Sequence, residues 1–280
     1  MAIATLIAAG RLDDSLLRAA AERVGCAKAP LWRDGQDAAQ LRVGNGEEAR
    51  QAIEGWEGMD IIVQPDPIPD YRLFIADMDS TMIGQECIDE LGDMAGVGGR
   101  IAEITERAMQ GELDFRGALA ARVELLADQP AGIIDRCIAE RIRPREGAER
   151  LVRTLKARGV RCVLVSGGFT RFADRIGADL GFDRVVANRL GEAEGRLTGR
   201  VDGDVVDGAV KERVLREEAG EGASLAIGDG ANDLAMIRAA TVGIAFRAKP
   251  ILAEAAEARL DHHPLDALLW ALGIRREDWV

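Results

Sequence analysis

Cysteine and histidine are scarce in this 280-residue chain. The four cysteines, Cys26, Cys87, Cys137 and Cys162, are scattered, and the two histidines are the neighbours His262 and His263. No pair has the spacing of a zinc cluster or a dithiol redox motif, and His262-His263 lies outside every motif found below, so neither is assigned a metal. Cys162 falls in an apolar run and reads as a buried strand thiol. Basic charge is also short: 36 Lys and Arg stand against 48 Asp and Glu, a net charge of -12. That balance argues against non-specific binding to nucleic acid or to an anionic membrane. An anionic small substrate stays open, because a local cation and a few basic residues can outweigh the global field. Long apolar runs are missing as well. The opening stretch, residues 1–10, lacks the basic start of a signal peptide and is too short to span a bilayer. The expectation is a protein of the reducing cytoplasm with neither a nucleic-acid nor a membrane partner.

The remaining composition, 48% hydrophobic and 30% charged, describes a globular chain long enough for a core domain and one or two smaller units. Residues 1–68 read as strand (3–8), helix (13–24), two strands (30–32 and 39–43) around the polar turn Arg33-Asp34-Gly35, helix (47–56) and strand (59–63). This βαββαβ order is the ferredoxin-like split arrangement. By pattern alone it resembles the small amino-acid-binding regulatory domains called ACT domains. An effector site, a dimer contact or simple packing are its three expected roles, and a homodimer is left open. The proline-rich 65–70 stretch is a stiff boundary.

The larger unit is expected over 71–280. A strand ending near Ala76 is followed, over about 83–146, by four segments with helical apolar spacing, 85–95, 101–109, 115–126 and 131–139, punctuated by Gly96, Gly98-Gly99, Gly111 and Pro130. Four helices exceed what a simple crossover needs, so they read as a cap inserted into the core. Beyond Glu146, strands alternate with helices, with a hairpin in the polar 189–207 excursion and closing helices at 250–258 and 264–272. The fold class is therefore α/β: a doubly wound parallel sheet, a helical cap and a small N-terminal α+β domain, with ligands beyond the carboxyl ends of the strands.

Three apolar strands end in polar loops at that edge. The first is Asp77-Met78-Asp79-Ser80-Thr81, in which residues two apart return to one side of an extended chain. The second is Ser166-Gly167-Gly168 and the third Gly228-Asp229-Gly230-Ala231-Asn232-Asp233. Their glycines let backbone N–H groups approach an anion, and Asp77, Asp79 and Asp229 together make an oxygen-only site suited to magnesium. Lys211, in Val210-Lys211-Glu212-Arg213, would read alone as a solvated helix lysine, and the three loops around it reverse that reading. Asp233, at a helix start, is either a cap or a support for the site.

In spacing and wording these motifs resemble the haloacid dehalogenase superfamily of aspartate-nucleophile phosphotransferases, in order and without departure over residues 72 to about 245. The resemblance implies that Asp77 attacks phosphorus, that Asp79 protonates the leaving oxygen and later accepts a proton from water, and that Lys211 and Mg2+ neutralise the transferring group. A carboxylate of ordinary pKa is ionised at pH 7, so Asp77 needs no base, whereas Asp79 must start protonated, which nearby carboxylates favour. Within the superfamily, Gly84-Gln85-Glu86-Cys87-Ile88-Asp89-Glu90-Leu91 looks like the corresponding segment of phosphoserine phosphatases. That likeness implies that Glu86 meets the substrate ammonium, Arg122 clamps its carboxylate, Phe115 shields the site, and Ser166, Gly167, Lys211 and Asn232 meet substrate or phosphate. The expected reaction is hydrolysis of phosphoserine to L-serine, the last step of serine biosynthesis. Two alternatives stay open: a relative acting on another small phosphorylated amino acid or alcohol, or passing phosphate to homoserine, and an amino-acid sensor without turnover.

Overall fold

The computed structural model describes residues 1–26 and 29–280. The N-terminal unit runs β1 (Ala2–Ile7), α1 (Asp14–Arg23), β2 (Trp32–Asp34), β3 (Ala38–Val43), α2 (Gly46–Ile53) and β4 (Asp60–Pro65). Its strands pair antiparallel in the order β2-β3-β1-β4. Local chemistry starts the helices: Asp13 accepts from the N–H groups of Ser15 and Leu16, and Asn45 from those of Glu47 and Glu48. Alternation then divides the strand residues between two faces. Ala4, Leu6, Ala39, Leu41 and Ile61 pack under α1 and α2, whereas Ile7, Ala38 and Ile62 join the core of the larger unit.

That second face is docked by polar anchors as well as apolar contact. The Gln40 amide donates to the carbonyls of Trp270 and Ala271 at 3.0 and 2.9 Å, and Gln64 donates to Ala271 too. Asp60, buried, accepts from the backbone N–H groups of Asp261, His262 and His263 and from His263 Nδ1. His263 Nε2 in turn accepts from the Ala9 N–H at 3.1 Å, which assigns the proton to Nδ1 and leaves the ring committed to the seam between the units.

The larger unit begins with β5 (Tyr71–Ala76). Four helices follow, α3 (Cys87–Met94), α4 (Gly98–Met109), α5 (Phe115–Glu124) and α6 (Ile133–Arg141). The chain then runs α7 (Ala148–Ala157), β6 (Arg161–Phe169), α8 (Thr170–Leu180), β7 (Arg184–Ala193), β8 (Arg196–Asp202), α9 (Gly208–Ala219), β9 (Ala223–Gly228), α10 (Leu234–Ala239), β10 (Val242–Phe246), α11 (Pro250–Ala255), β11 (Ala258–Leu260) and α12 (Leu268–Ala271). The sheet order is β11-β10-β9-β5-β6-β7-β8, parallel except for the β7–β8 hairpin. Leu73, Ile75, Val163, Val165 and Ala226 pack beneath α9, α10 and α11, while Phe74, Cys162, Leu164 and Ile227 face α7 and α8. Both faces are covered, as a parallel sheet requires. Because β9, β5 and β6 are neighbours, the three polar loops emerge side by side.

Some elements differ from the expectation. Gly98 and Gly99 do not break the cap but form the first turn of α4, where their N–H groups need no helical partner. The turn expected over Arg33-Asp34-Gly35 lies two residues later, at 35–37, because β2 extends through Asp34 and Gly35 opens the turn with a left-handed φ of +54°. The helix expected to reach residue 258 stops at Ala255, and Ala258–Leu260 instead adds an edge strand too short to show periodicity. Among the described residues no helix is long and apolar enough to cross a membrane.

Candidate active site

The loop after β5 turns sharply. Ser80 takes a left-handed φ of +56°, which for a residue with a side chain costs about 1–2 kcal/mol. The surroundings hold it there: its N–H donates to Gln85 O at 3.1 Å, its hydroxyl to Glu86 Oε1 at 2.7 Å, and its carbonyl accepts both Nε and Nη2 of Arg145 at 3.1 and 2.9 Å. The two aspartates ahead of this turn take different partners. Asp77 Oδ1 accepts from the Met78 N–H and sits 2.7 Å from Lys211 Nζ. Asp79 Oδ1 accepts from the Cys87 N–H at 3.0 Å, and its Oδ2 faces Ser166 Oγ at 3.4 Å.

Gly168, at the end of β6, is needed for this approach, because a Cβ there would lie 2.5 Å from Asp79 Oδ2. Its N–H donates to Ser166 Oγ at 2.8 Å. Asn188, buried, ties the loop down by donating to Gly167 O while its own carbonyl accepts from Val206 N–H, each at 2.8 Å.

Lys211, projecting from α9, is wholly buried and bridges Asp77 and Asp233, each at 2.7 Å. Asp233 Oδ2 also accepts from the N–H groups of Asp229 and Gly230 at 3.2 and 3.1 Å. It therefore shapes the loop that presents Asp229. The three carboxylates that converge are those of Asp77, Asp229 and Asp233, each offering an oxygen within 4.8 Å of the others. The sequence reading put Asp77, Asp79 and Asp229 there; in the fold the Asp79 carboxylate turns instead toward Cys87 and Ser166.

The electrostatics are lopsided. Burial, and then the negative charge of Asp233, push Asp77 well above the usual carboxylate range, against the pull of Lys211. Burial favours a neutral amine at Lys211, yet Asp233 and Asp77 outweigh it and hold the ammonium above its ordinary value. Burial raises Asp229 as well; Lys249 opposes it, and the charges of Asp233 and Glu86 add to the rise. One buried ammonium does not balance three carboxylates, so a further positive charge is what keeps all three ionised. Oxygen donors alone, with excess negative charge, fit magnesium. Asp77 and Asp229 are the residues that would hold it, with Asp233 fixing the loop behind them. Asp79 stands apart from this trio and is pushed up to about 7 by burial and then by Glu86.

A cavity of about 430 Å³ opens between these loops and the cap. Asp77, Asp79, Asp229, Glu86, Phe115, Arg122, Ser166, Gly167 and Asn232, all singled out in the sequence, line it, while Lys211 lies beneath. Arg122 spends only long contacts on the protein, from Nε to Ala118 O at 3.3 Å and from Nη1 to Thr105 Oγ1 at 3.5 Å, which leaves donors of its fork for a ligand. Sequence reasoning missed Asp89, Met109 and Lys249, which also line the cavity. Met109 ends the apolar stripe of α4 and is 76% exposed, with nothing local to separate it from a surface methionine. Lys249 did carry a signal. It follows β10, a fourth strand ending at the same edge, and precedes Pro250 at the start of α11.

A family model for haloacid dehalogenase-like hydrolases matches residues 74–238. A phosphoserine phosphatase of Archaeoglobus fulgidus is 42% identical over 249 residues, covering 86% of this chain and 71% of that protein. One from Streptomyces coelicolor is 47% identical over 212 residues, 74% of this chain; the chain spans about half of that longer protein, 52%. The solved structure of a probable phosphoserine phosphatase from Vibrio cholerae, in its unliganded form, superposes with a TM-score of 0.81 at 33% identity. It covers 97% of this chain and 86% of its own.

Proposed function

The chain belongs to the haloacid dehalogenase-like hydrolases, and within them to the phosphoserine phosphatase family; from that membership we propose that it hydrolyses O-phospho-L-serine to L-serine and phosphate. The observation that carries the proposal is one cavity holding both a nucleophile–acid pair, Asp77 and Asp79, and a carboxylate and guanidinium, Glu86 and Arg122, suited to the two charged ends of an amino acid.

Asp77 keeps Oδ1 for Lys211 and the Met78 N–H, so Oδ2 is the oxygen that attacks phosphorus. As the new O–P bond forms, the bond from phosphorus to the serine oxygen breaks, and Asp79 gives that oxygen its proton from Oδ2. Water then attacks the aspartyl-phosphate, Asp79 takes a proton from it, and Asp77 is released as carboxylate. Ser166 Oγ and Lys211 stand where they can hold phosphoryl oxygens through both steps. Magnesium bound by Asp77 and Asp229 would add charge neutralisation at the phosphoryl group. Glu86 receives the substrate ammonium, Arg122 its carboxylate, and Phe115 and Leu119 exclude water from above. Asn232 faces substrate or phosphate from the loop after β9.

The same reading places the protein in the cytoplasm, in keeping with the buried thiols of Cys87, Cys137 and Cys162. A homodimer built through the N-terminal unit would use its helices or the β2 edge, because the opposite sheet face is covered by the core. The test is phosphate release from phosphoserine, phosphothreonine, phosphoethanolamine and a sugar phosphate, with magnesium and then with chelator. A magnesium-dependent preference for phosphoserine supports the reading, and even activity over the panel removes the substrate assignment.

A further inference from the structure

The cavity contains one cation that none of the roles above uses. Lys249 is held at its backbone, where its N–H donates to Asp229 O at 2.8 Å. Its ammonium lies 3.5 Å from Asp229 Oδ2 and 3.9 Å from Glu86 Oε1. The two oxygens are already sorted by their other bonds. Asp229 Oδ1 accepts from Thr81 Oγ1 at 3.1 Å, so Oδ2 is the oxygen left for a cation, and it is the one facing Lys249. Glu86 Oε1 takes the Ser80 hydroxyl and looks toward Lys249 with the rest of its charge.

The two lysines of the site differ in kind. Lys211 is fully buried and fixed by two short contacts, a permanent part of the scaffold. Lys249 has a side chain 60% exposed, makes only long contacts, and sits on a four-carbon stem free to swing into water. Five acidic side chains line the cavity, Asp77, Asp79, Glu86, Asp89 and Asp229, against two basic ones, Arg122 and Lys249. Without a cation near Asp229 Oδ2, these carboxylates repel one another across the mouth.

We infer that Lys249 is a built-in, displaceable counter-cation: its ammonium competes with the divalent cation for Asp229 Oδ2, and Glu86 is the second anchor that keeps it in place. When the metal binds, Lys249 leaves that oxygen and turns outward, so the site gains one positive charge net rather than two. The inference rests on the reading of Asp77 and Asp229 as metal-holding residues.

Isothermal titration of Mg2+ into the full chain, with no substrate present, tests it on wild type, Lys249→Met and Lys249→Arg. Removing a competing unit charge a few ångströms from the ion tightens binding by about tenfold in Lys249→Met, on the scale of one charge pair at an effective dielectric between protein and water. Lys249→Arg keeps the charge and stays near wild type. Lys249→Gln, which shortens the stem, gives the same tightening as Lys249→Met, and thermal melting confirms that each variant is folded. Magnesium affinity unchanged or weakened in both neutral variants overturns the inference while leaving the metal reading intact. Heat absent from wild type and all variants alike overturns both.

Discussion

The ammonium of Lys211 lies 2.7 Å from Oδ1 of Asp77, with 0% and 6% of the two side chains open to water. A buried pair of this kind is weak evidence of stability, because desolvation consumes most of the Coulomb gain, but removing one partner strands the other. Here Lys211 also carries Asp233, so its loss strands two carboxylates.

Lys211→Met is therefore expected to lose about 3–5 kcal/mol of stability by urea unfolding and to drop turnover by at least about a hundredfold. Lys211→Arg does not restore activity, because a planar fork cannot replace a point charge held between two oxygens. Wild-type stability in Lys211→Met would show that its partners are not paying a desolvation cost.

Burial and then Glu86 push Asp79 up to about 7, which favours the protonated acid below that pH and the carboxylate above it. As the acid for the first step it is in the right form on the low-pH side. The kcat/KM for phosphoserine should fall about tenfold per pH unit above about 7. Asp79→Asn should cost about 10²–10⁴ on an alkyl phosphate, whose alkoxide needs the proton, and far less on a nitrophenyl phosphate, whose leaving group does not. Equal losses on the two substrates would remove its role as acid.

Arg122→Ala should raise KM for phosphoserine by about tenfold to a hundredfold, the range of a charge-assisted hydrogen bond, and change phosphoethanolamine little. Phosphoethanolamine keeps the ammonium and lacks the carboxylate. An equal effect on both would detach Arg122 from carboxylate recognition.

The seam between the units is titratable. Burial of Asp60 opposes ionisation, but His263 and three backbone N–H groups outweigh it and hold the carboxyl below its ordinary value. A depressed folded-state pKa stabilises above the unfolded value, about 4, and the benefit is lost as pH falls through the folded value. Asp60→Asn should therefore melt lower than wild type at pH 6–7, with the gap closing below about pH 4. A gap independent of pH would mean that the loss comes from packing rather than from charge.

Much of this was legible in the chain because the signals are local. Apolar runs ending at Asp77, Ser166 and Gly228 mark buried strands with loops at one edge, and the βαββαβ alternation of the first 65 residues needs no distant contact to read. Lys211 became legible only through the company of those loops. What could not be read depends on contacts between residues far apart in sequence. Gln40 meets Trp270, and Asp60 meets His263, across more than 200 positions, so nothing near either partner announces the docking of the two units. The direction of the Asp79 carboxylate, away from the carboxylate trio, is set by its contacts with the Cys87 N–H and with Ser166, the second of them 87 positions along the chain. Lys249 lay at a fourth strand end, β10, that carries no aspartate to draw notice.

In the proposed mechanism Asp77 carries the phosphoryl group between substrate and water. Rapid chemical quench of the enzyme mixed with magnesium and ³²P-labelled phosphoserine tests it most directly. A transient, alkali-labile label is expected on Asp77, forming and decaying at rates compatible with turnover and absent in Asp77→Asn. Phosphate released at full rate with no label on the protein at any time would mean that water attacks the substrate directly and that Asp77 is not the nucleophile.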